Sequence, residues 1–277
     1  LMNPIKKDEI FVLELSSYQL DDISLSPSIA VVTNLFPEHM DYHSGIENYY
    51  EAKKNIIKFQ GRQDIFIYNT KNKESCQWLK EVRAKVVPFI EESFLDGVNF
   101  SLIGEHNRKN IRAAVSVAKE LSVSDEIIKM AIEKFKPLPH RLEFIGKFKN
   151  IKFYDDAIST TPESTIEAIK SLQGIDTIFL GGEDREYNFF QLEKVIKKYK
   201  IKNAVLFPVS GKRILKSEKG LNILKTSSMK QAVIFAYKHT RPGKICLLSC
   251  ASPSYSLWKN FEEKGDLFKK FVKKLAK

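Results

Sequence analysis

Thr33-Asn34-Leu35-Phe36-Pro37-Glu38-His39-Met40-Asp41-Tyr42-His43 joins an apolar run, Ile29-Ala30-Val31-Val32, to an amphipathic segment from Ser44 to Lys58. The run reads as a buried strand, and Pro37 ends any regular element. Ser44 with Glu47 fits a capping box, so a helix is predicted from Gly45. Ile46, Tyr49, Tyr50, Lys53, Ile56 and Ile57 then share one face at 3.6-residue spacing. Lys53 sits in that apolar row, while Lys54 and Lys58 lie off its centre. An unpaired buried ammonium is costly, so Lys53 must snorkel, pair or be chemically altered. Spacing alone favours snorkelling and leaves open a polar site floor shared with His39.

Upstream, Ile10-Phe11-Val12-Leu13-Glu14-Leu15 is a near-continuous apolar run, as expected of a parallel strand covered on both faces. Glu14 interrupts it near its carboxyl end, where open α/β sheets place ligands. A buried acid needs a partner, so Glu14 is expected to pair, to hold a metal, or else to face the sheet edge. Downstream, residues 63–68, 73–83 and 84–89 read strand, helix, strand, and Gly97 to Ile103 reads as a further strand. A helix opens at Gly104-Glu105-His106-Asn107-Arg108-Lys109-Asn110 and runs to Leu121. Asn107 and Asn110 extend its apolar stripe at the N-terminal end, where backbone N–H groups and the macrodipole favour phosphate. An asparagine there is also an ordinary cap. A short helix spans Ser124 to Phe135.

Pro137 and Pro139 fix an extended linker, and the domain boundary is placed there, dividing residues 1–137 from 138–277. Beyond it strands at 152–154, 177–180, 204–207 and 245–249 alternate with helices at 162–172, 189–199, 229–239 and a last helix to Lys277. This alternation predicts a Rossmann-like α/β sheet, and the whole chain is read as α/β with mostly parallel strands. No GxGxxG occurs, so a dinucleotide is not implied. Three loops at strand ends carry polar residues: Asp155 to Pro162, Gly181 to Arg185, and Ser249 to Ser254. Pro162 suits the first helical position, with Thr161 as cap. All three loops should share the carboxyl edge of one sheet.

The formal charge is +11 over 277 residues, with lysines scattered through every predicted helix. A nucleic-acid role would prefer a basic stripe with interleaved aromatics, which the sequence lacks. No stretch approaches the roughly 18 apolar residues of a membrane span. The three cysteines, Cys76, Cys246 and Cys250, have no metal spacing, so a cytoplasmic protein is expected.

Six strings together resemble the ATP-dependent Mur ligase family: TNLFPEHMDYH with YYEAK, LELSSYQL, GEHNRKN, LPHRLE and LSCASPSYSLWKNFEEKG. The W-K-N-F-E-E-K-G portion of the last is similar to F/W-K-N-F/Y-x-x-R/K-G, characteristic of the D-glutamate-adding members. The resemblance implies a partial central ATPase domain followed by a C-terminal ligase domain. It implies cofactors ATP and Mg²⁺, with metal ligands at Glu14, His39 and Lys53, the lysine carbamylated into an oxygen ligand. Ser16 would lie near the substrate, Asn107, Asn110 and Asp156 would contact nucleotide, and Arg141 would meet the ATP phosphates. Thr160, Arg185, Ser254 and Phe261 would hold the amino acid.

The implied partners are UDP-N-acetylmuramoyl-L-alanine and D-glutamate, in a monomer acting without nucleic acid or membrane. A folylpolyglutamate synthase-like ligase and a non-catalytic amino-acid- or partner-binding module are the alternatives. Two departures stand out. Ile158 replaces the family's lysine, and no G-x-x-G-K-[ST] phosphate loop is present. Because the chain opens at Leu1 almost directly on a predicted strand, a truncated sequence, inactive alone, is expected.

Overall fold

A computed structural model describes residues 9–35, 40–215 and 220–276. Two compact units are present, Leu1–Val98 with Lys109–Ile132, and Asn99–Arg108 with Glu133–Lys277.

In the first unit, helix α1 (Ser17–Asp21) precedes strand β1 (Ile29–Val32), short helix α2 (Met40–His43) and helix α3 (Ile46–Lys58). Strand β2 (Ile65–Tyr68), helix α4 (Lys73–Gln77) and strand β3 (Lys85–Pro88) complete a parallel sheet in the order β1-β2-β3. Ala30, Val32, Ile57, Phe66 and Trp78 form one core cluster, and Ile67, Phe89 and Ala113 another. Ala113 lies on α5 (Glu105–Glu120), which is followed by α6 (Asp125–Lys134). Ser44 and Gly45 both take positive φ, at 55° and 129°, and Gly45 caps α3 without a side-chain bond. The expected Ser44–Glu47 capping box is therefore replaced by a left-handed turn.

Two further expectations fail among the described residues. Ile10 to Leu15 forms no strand, and Ile10, Phe11, Val12 and Leu13 are exposed. An apolar run becomes a strand only where its N–H and C=O groups find a ladder, and these find none. Residues 97–103 are likewise irregular, because Val98 donates back to Leu95 and Gly97 adopts φ 75°.

The second unit is a six-stranded sheet ordered β4-β5-β9-β6-β7-β8. Its strands are β4 (Glu143–Phe148), β5 (Ile151–Asp155), β6 (Ile175–Gly181), β7 (Asn203–Phe207), β8 (Asn222–Lys225) and β9 (Ile245–Leu248). β4 is antiparallel to β5, and every other pairing is parallel. The parallel strands β6, β7 and β9 are buried at every residue, which is why Ile178 to Leu180, Ala204 to Phe207 and Ile245 to Leu248 run apolar without alternation. The core beside one face includes residues of α7 (Pro162–Ser171), α8 (Phe190–Lys198) and α9 (Gly211–Ile214). A second core cluster takes residues of α10 (Met229–His239) and α11 (Phe261–Leu275). Pro162 opens α7 behind a Thr161 cap, as the sequence predicts. Sequence reading passed over β4, though Lys149 and Asn150, at φ 47° and 59°, form the two-residue left-handed turn that closes its hairpin with β5.

Candidate active site

Glu14, Ser16 and Lys53 line one cavity of about 350 Å³ in the first unit, with Leu15, Ser17, Gln19 and Tyr49. Lys53 is half-buried, its Nζ 5.9 Å from the centre of the Tyr49 ring. The apolar row thus places its lysine at a polar cavity rather than in the core. Ser16 caps α1 and its hydroxyl accepts from Gln19 N, so it is already engaged. Ser17, which the sequence reading passed over, is 1% exposed and its Oγ has no partner among the described residues. The doubled serine of LSSYQL was the available signal. His39 lies outside the described residues. Glu14, two serine hydroxyls and Gln19 form an oxygen-rich lining, the chemistry Mg²⁺ prefers. An unmodified Lys53 ammonium would oppose a cation, whereas a carbamate would supply a further oxygen.

Asn107 and Asn110 separate in character. Asn107 is buried and its Nδ2 donates to Ile103 O at 2.8 Å, while Asn110 is exposed.

In the second unit β5, β9 and β6 are adjacent, so the loops at their carboxyl ends are bonded together. Asp156 N donates to Leu248 O, Gly181 N to Cys250 O, and Glu183 N to Pro253 O, each at 2.8 Å. Gly182 permits this approach: a Cβ there would lie 2.2 Å from Pro253 O. Ser254 is buried with its Oγ unpartnered among the described residues. Thr160 is half-buried, and Arg185 is exposed with its Nη2 3.8 Å from Glu183 Oε2. Phe261 lies edge-on to the His140 ring at 6.0 Å. Lys264, fully buried, has its Nζ 6.0 Å from the Trp258 ring centre.

Arg141 is exposed between buried His140 and Leu142. His140 Nδ1 pairs with Asp155 Oδ2 at 2.8 Å, and Lys269 Nζ bonds Glu143 Oε2 at 2.8 Å. His140, Glu143 and Asp155 have the donor types of a metal site. The Lys269 ammonium already supplies their countercharge. Asp156 is turned inward, accepting from Leu142 N at 3.2 Å and Ser249 Oγ at 2.7 Å.

Burial pushes the Asp156 carboxyl up to about 6, against the opposing hydrogen bonds from Ser159, Ser249 and Leu142. A folded-state value above the ordinary 3.8 means that the folded protein holds this proton more tightly than the unfolded chain. The resulting stability is fully present below the unfolded value and is lost as pH rises through the folded one. In denaturant titrations, wild type should therefore lose up to ~3 kcal/mol relative to Asp156→Asn between about pH 4 and pH 6.5. Parallel pH profiles of the two proteins would contradict this.

Residues 2–118 match the Mur ligase middle domain. The UDP-N-acetylmuramoylalanine–D-glutamate ligase of Fervidobacterium nodosum is 34% identical over 273 residues, covering 98% of this chain and 64% of that relative. Residues 2–118 thus carry a Mur ligase middle domain. The ligase of the same name from Streptococcus mutans is 33% identical, over 96% of this chain and 63% of its own length. The chain spans a little under two thirds of the length of the curated relatives it matches. Among solved structures, MurF ligase from Thermotoga maritima in complex with ADP superposes with a TM-score of 0.68 at 18% identity, over 90% of this chain and 63% of that one. A bifunctional folylpolyglutamate synthase/dihydrofolate synthase from Yersinia pestis superposes with a TM-score of 0.64 at 14% identity, over 91% of this chain and 62% of that one. At such identities the superpositions establish the Mur ligase fold without separating acceptors.

Proposed function

We propose that this chain forms part of an ATP-dependent ligase adding D-glutamate to UDP-N-acetylmuramoyl-L-alanine, a step of peptidoglycan precursor synthesis in the cytoplasm. The observation that carries the proposal is the match to ligases of that name along 98% of the chain, at 34% identity. The proposed boundary follows Pro137, with a central ATPase domain before it and a ligase domain after it. The monomeric state belongs to the same proposal.

The reaction is transfer of the terminal phosphoryl group of ATP to the substrate carboxylate with release of ADP, then attack of the D-glutamate amine on the acyl phosphate, which expels inorganic phosphate as the amine loses a proton and the amide forms. Glu14, His39 and carbamylated Lys53 would hold Mg²⁺, which offsets charge developing in phosphoryl transfer. Arg141, free of its buried neighbours, offers a planar fork to phosphate oxygens. Asn107 and Asn110 are the proposed nucleotide contacts; Asp156, with both oxygens satisfied inside the protein, would have to turn outward to serve. Arg185 would pair with a D-glutamate carboxylate, Ser254 would offer its unused hydroxyl, and Thr160 and Phe261 would complete the pocket. Ser16 would face the nucleotide substrate. Their work is positioning the amine, and no side chain needs to act as a covalent nucleophile.

The test expresses the chain from its own gene, including any reading frame upstream of Leu1. Each acceptor is supplied with ATP, Mg²⁺ and D- or L-glutamate. Amide formation requiring UDP-N-acetylmuramoyl-L-alanine and D-glutamate is expected. Turnover only with a folate and L-glutamate would replace this reading with the folylpolyglutamate one. Amino-acid binding without ATP hydrolysis would leave a non-catalytic module.

A further inference from the structure

Residues 140–142 combine three unusual features. His140 and Leu142 both take left-handed backbone, at φ 62° and 46°, which is costly for residues other than glycine. Both are buried, while Arg141 between them is exposed. Each neighbour is tied to one of two consecutive carboxylates, His140 through its ring to Asp155 and Leu142 through its amide to Asp156. Further bonds reinforce the tie. His140 N donates to Glu143 Oε2 at 2.9 Å, and Ile158 N donates to His140 O at 3.2 Å. Lys269 Nζ lies 3.8 Å from Asp155, which is fully buried. Helix α11 leaves room for the pair only because residue 265 is glycine. A Cβ there would lie 2.1 Å from His140 Nδ1 and 2.6 Å from Asp155 Oδ2.

We propose that Asp155, acting through His140, is a positioning residue that fixes the backbone on which Arg141 is presented. Strained backbone persists only where its surroundings over-determine it, and here the buried carboxylates do so. With the pair intact, Arg141 loses little backbone freedom when its guanidinium meets an anion. With it broken, the residue must be ordered at each binding event. The link from this geometry to ATP rests on the ligase reading above, in which Arg141 meets phosphate.

Hydrogen exchange on the full chain, and ligation kinetics on the gene product expressed with any reading frame upstream of Leu1, test the two parts separately. In Asp155→Ala, the amides of residues 140–142 should exchange faster by about 100-fold, while those of β6, β7 and β9 stay protected. KM for ATP should rise about tenfold with KM for D-glutamate unchanged. Asp155→Asn can still hydrogen-bond the His140 ring, through its oxygen or its amide according to the tautomer, and should lose less than Asp155→Ala. Arg141→Ala should add little to the loss in Asp155→Ala, because both remove one interaction. Unchanged exchange at 140–142, or fully additive kinetic losses, would overturn the proposal. Should Asp155→Ala fail to fold, His140→Asn takes its place in the same cycle, where faster exchange at 140–142 supports the proposal and unchanged exchange overturns it. A wild-type gene product, expressed with any reading frame upstream of Leu1, that shows no ligation would defeat the ligase reading, while exchange at 140–142 would still decide whether Asp155 orders them.

Discussion

Replacing Gly265 by alanine should lower the melting temperature by roughly 10 °C, although the same exchange in an exposed helix interior stabilises by about 1 kcal/mol. Gly265 lies inside α11, where alanine is the better helix former and carries less entropy to lose on folding. The new methyl would overlap the His140 ring and the Asp155 carboxylate, both buried and hydrogen-bonded to each other. Neither group can swing aside without leaving a buried polar atom unpaired, so overpacking and desolvation add, together about 3 kcal/mol or more. Thermal melts followed by circular dichroism measure the effect. Glu262→Ala, at an exposed position in the first turn of the same helix, is the control and should shift the midpoint only slightly. A Gly265→Ala midpoint equal to or above wild type would show that α11 can move away from the pair.

Lys53→Ala, in the gene product expressed with any reading frame upstream of Leu1, should cut ATP-dependent ligation by about 1,000-fold or more while moving the melting temperature by only a few degrees. The separation of the two effects is the point. Lys53 is half-buried at a cavity wall, so truncating it removes modest packing. If its nitrogen is carbamylated, truncation also removes a metal oxygen ligand, and with it charge stabilisation in phosphoryl transfer. A readout independent of turnover is available: with ¹³C-labelled bicarbonate, wild type should show one carbamate carbon resonance that Lys53→Ala lacks. Loss of the resonance with activity retained, or near-normal ligation by Lys53→Ala, would remove Lys53 from the proposed chemistry.

Much of the second unit is legible in the chain itself. Apolar runs of four to seven residues alternate with amphipathic segments, and that local alternation specifies parallel strands with helical crossovers. The Thr161–Pro162 helix start is equally local, since a cap and a fixed φ involve only neighbouring residues. Once the strands are parallel, the loops after Asp155, Gly181 and Leu248 must emerge at one edge, so their convergence follows from sequence order. The spacing of Lys53 favours snorkelling and leaves a polar site floor open, and the residue lies at a cavity lined also by Glu14 and Ser16.

Other features depend on partners far along the chain, which periodicity cannot register. Ile10 to Leu13 has the composition of a buried strand but finds no ladder among the described residues, so its side chains stay exposed. Asp155 and Asp156 read as a polar loop open to ligand. The fold turns them inward because Leu142 and Ser249, 14 and 93 residues away, deliver donors to Asp156. Gly265 looks like a weak point in a helix until His140, brought against it through Asp155, explains the missing side chain. The amino-acid order by itself determined the strand-and-helix alternation and the edge where the loops gather, because these follow from short-range periodicity and chain direction. Only the tertiary structure decided which polar groups on that edge are satisfied internally and which stay free, because burial and hydrogen bonding depend on side chains from distant segments meeting in space.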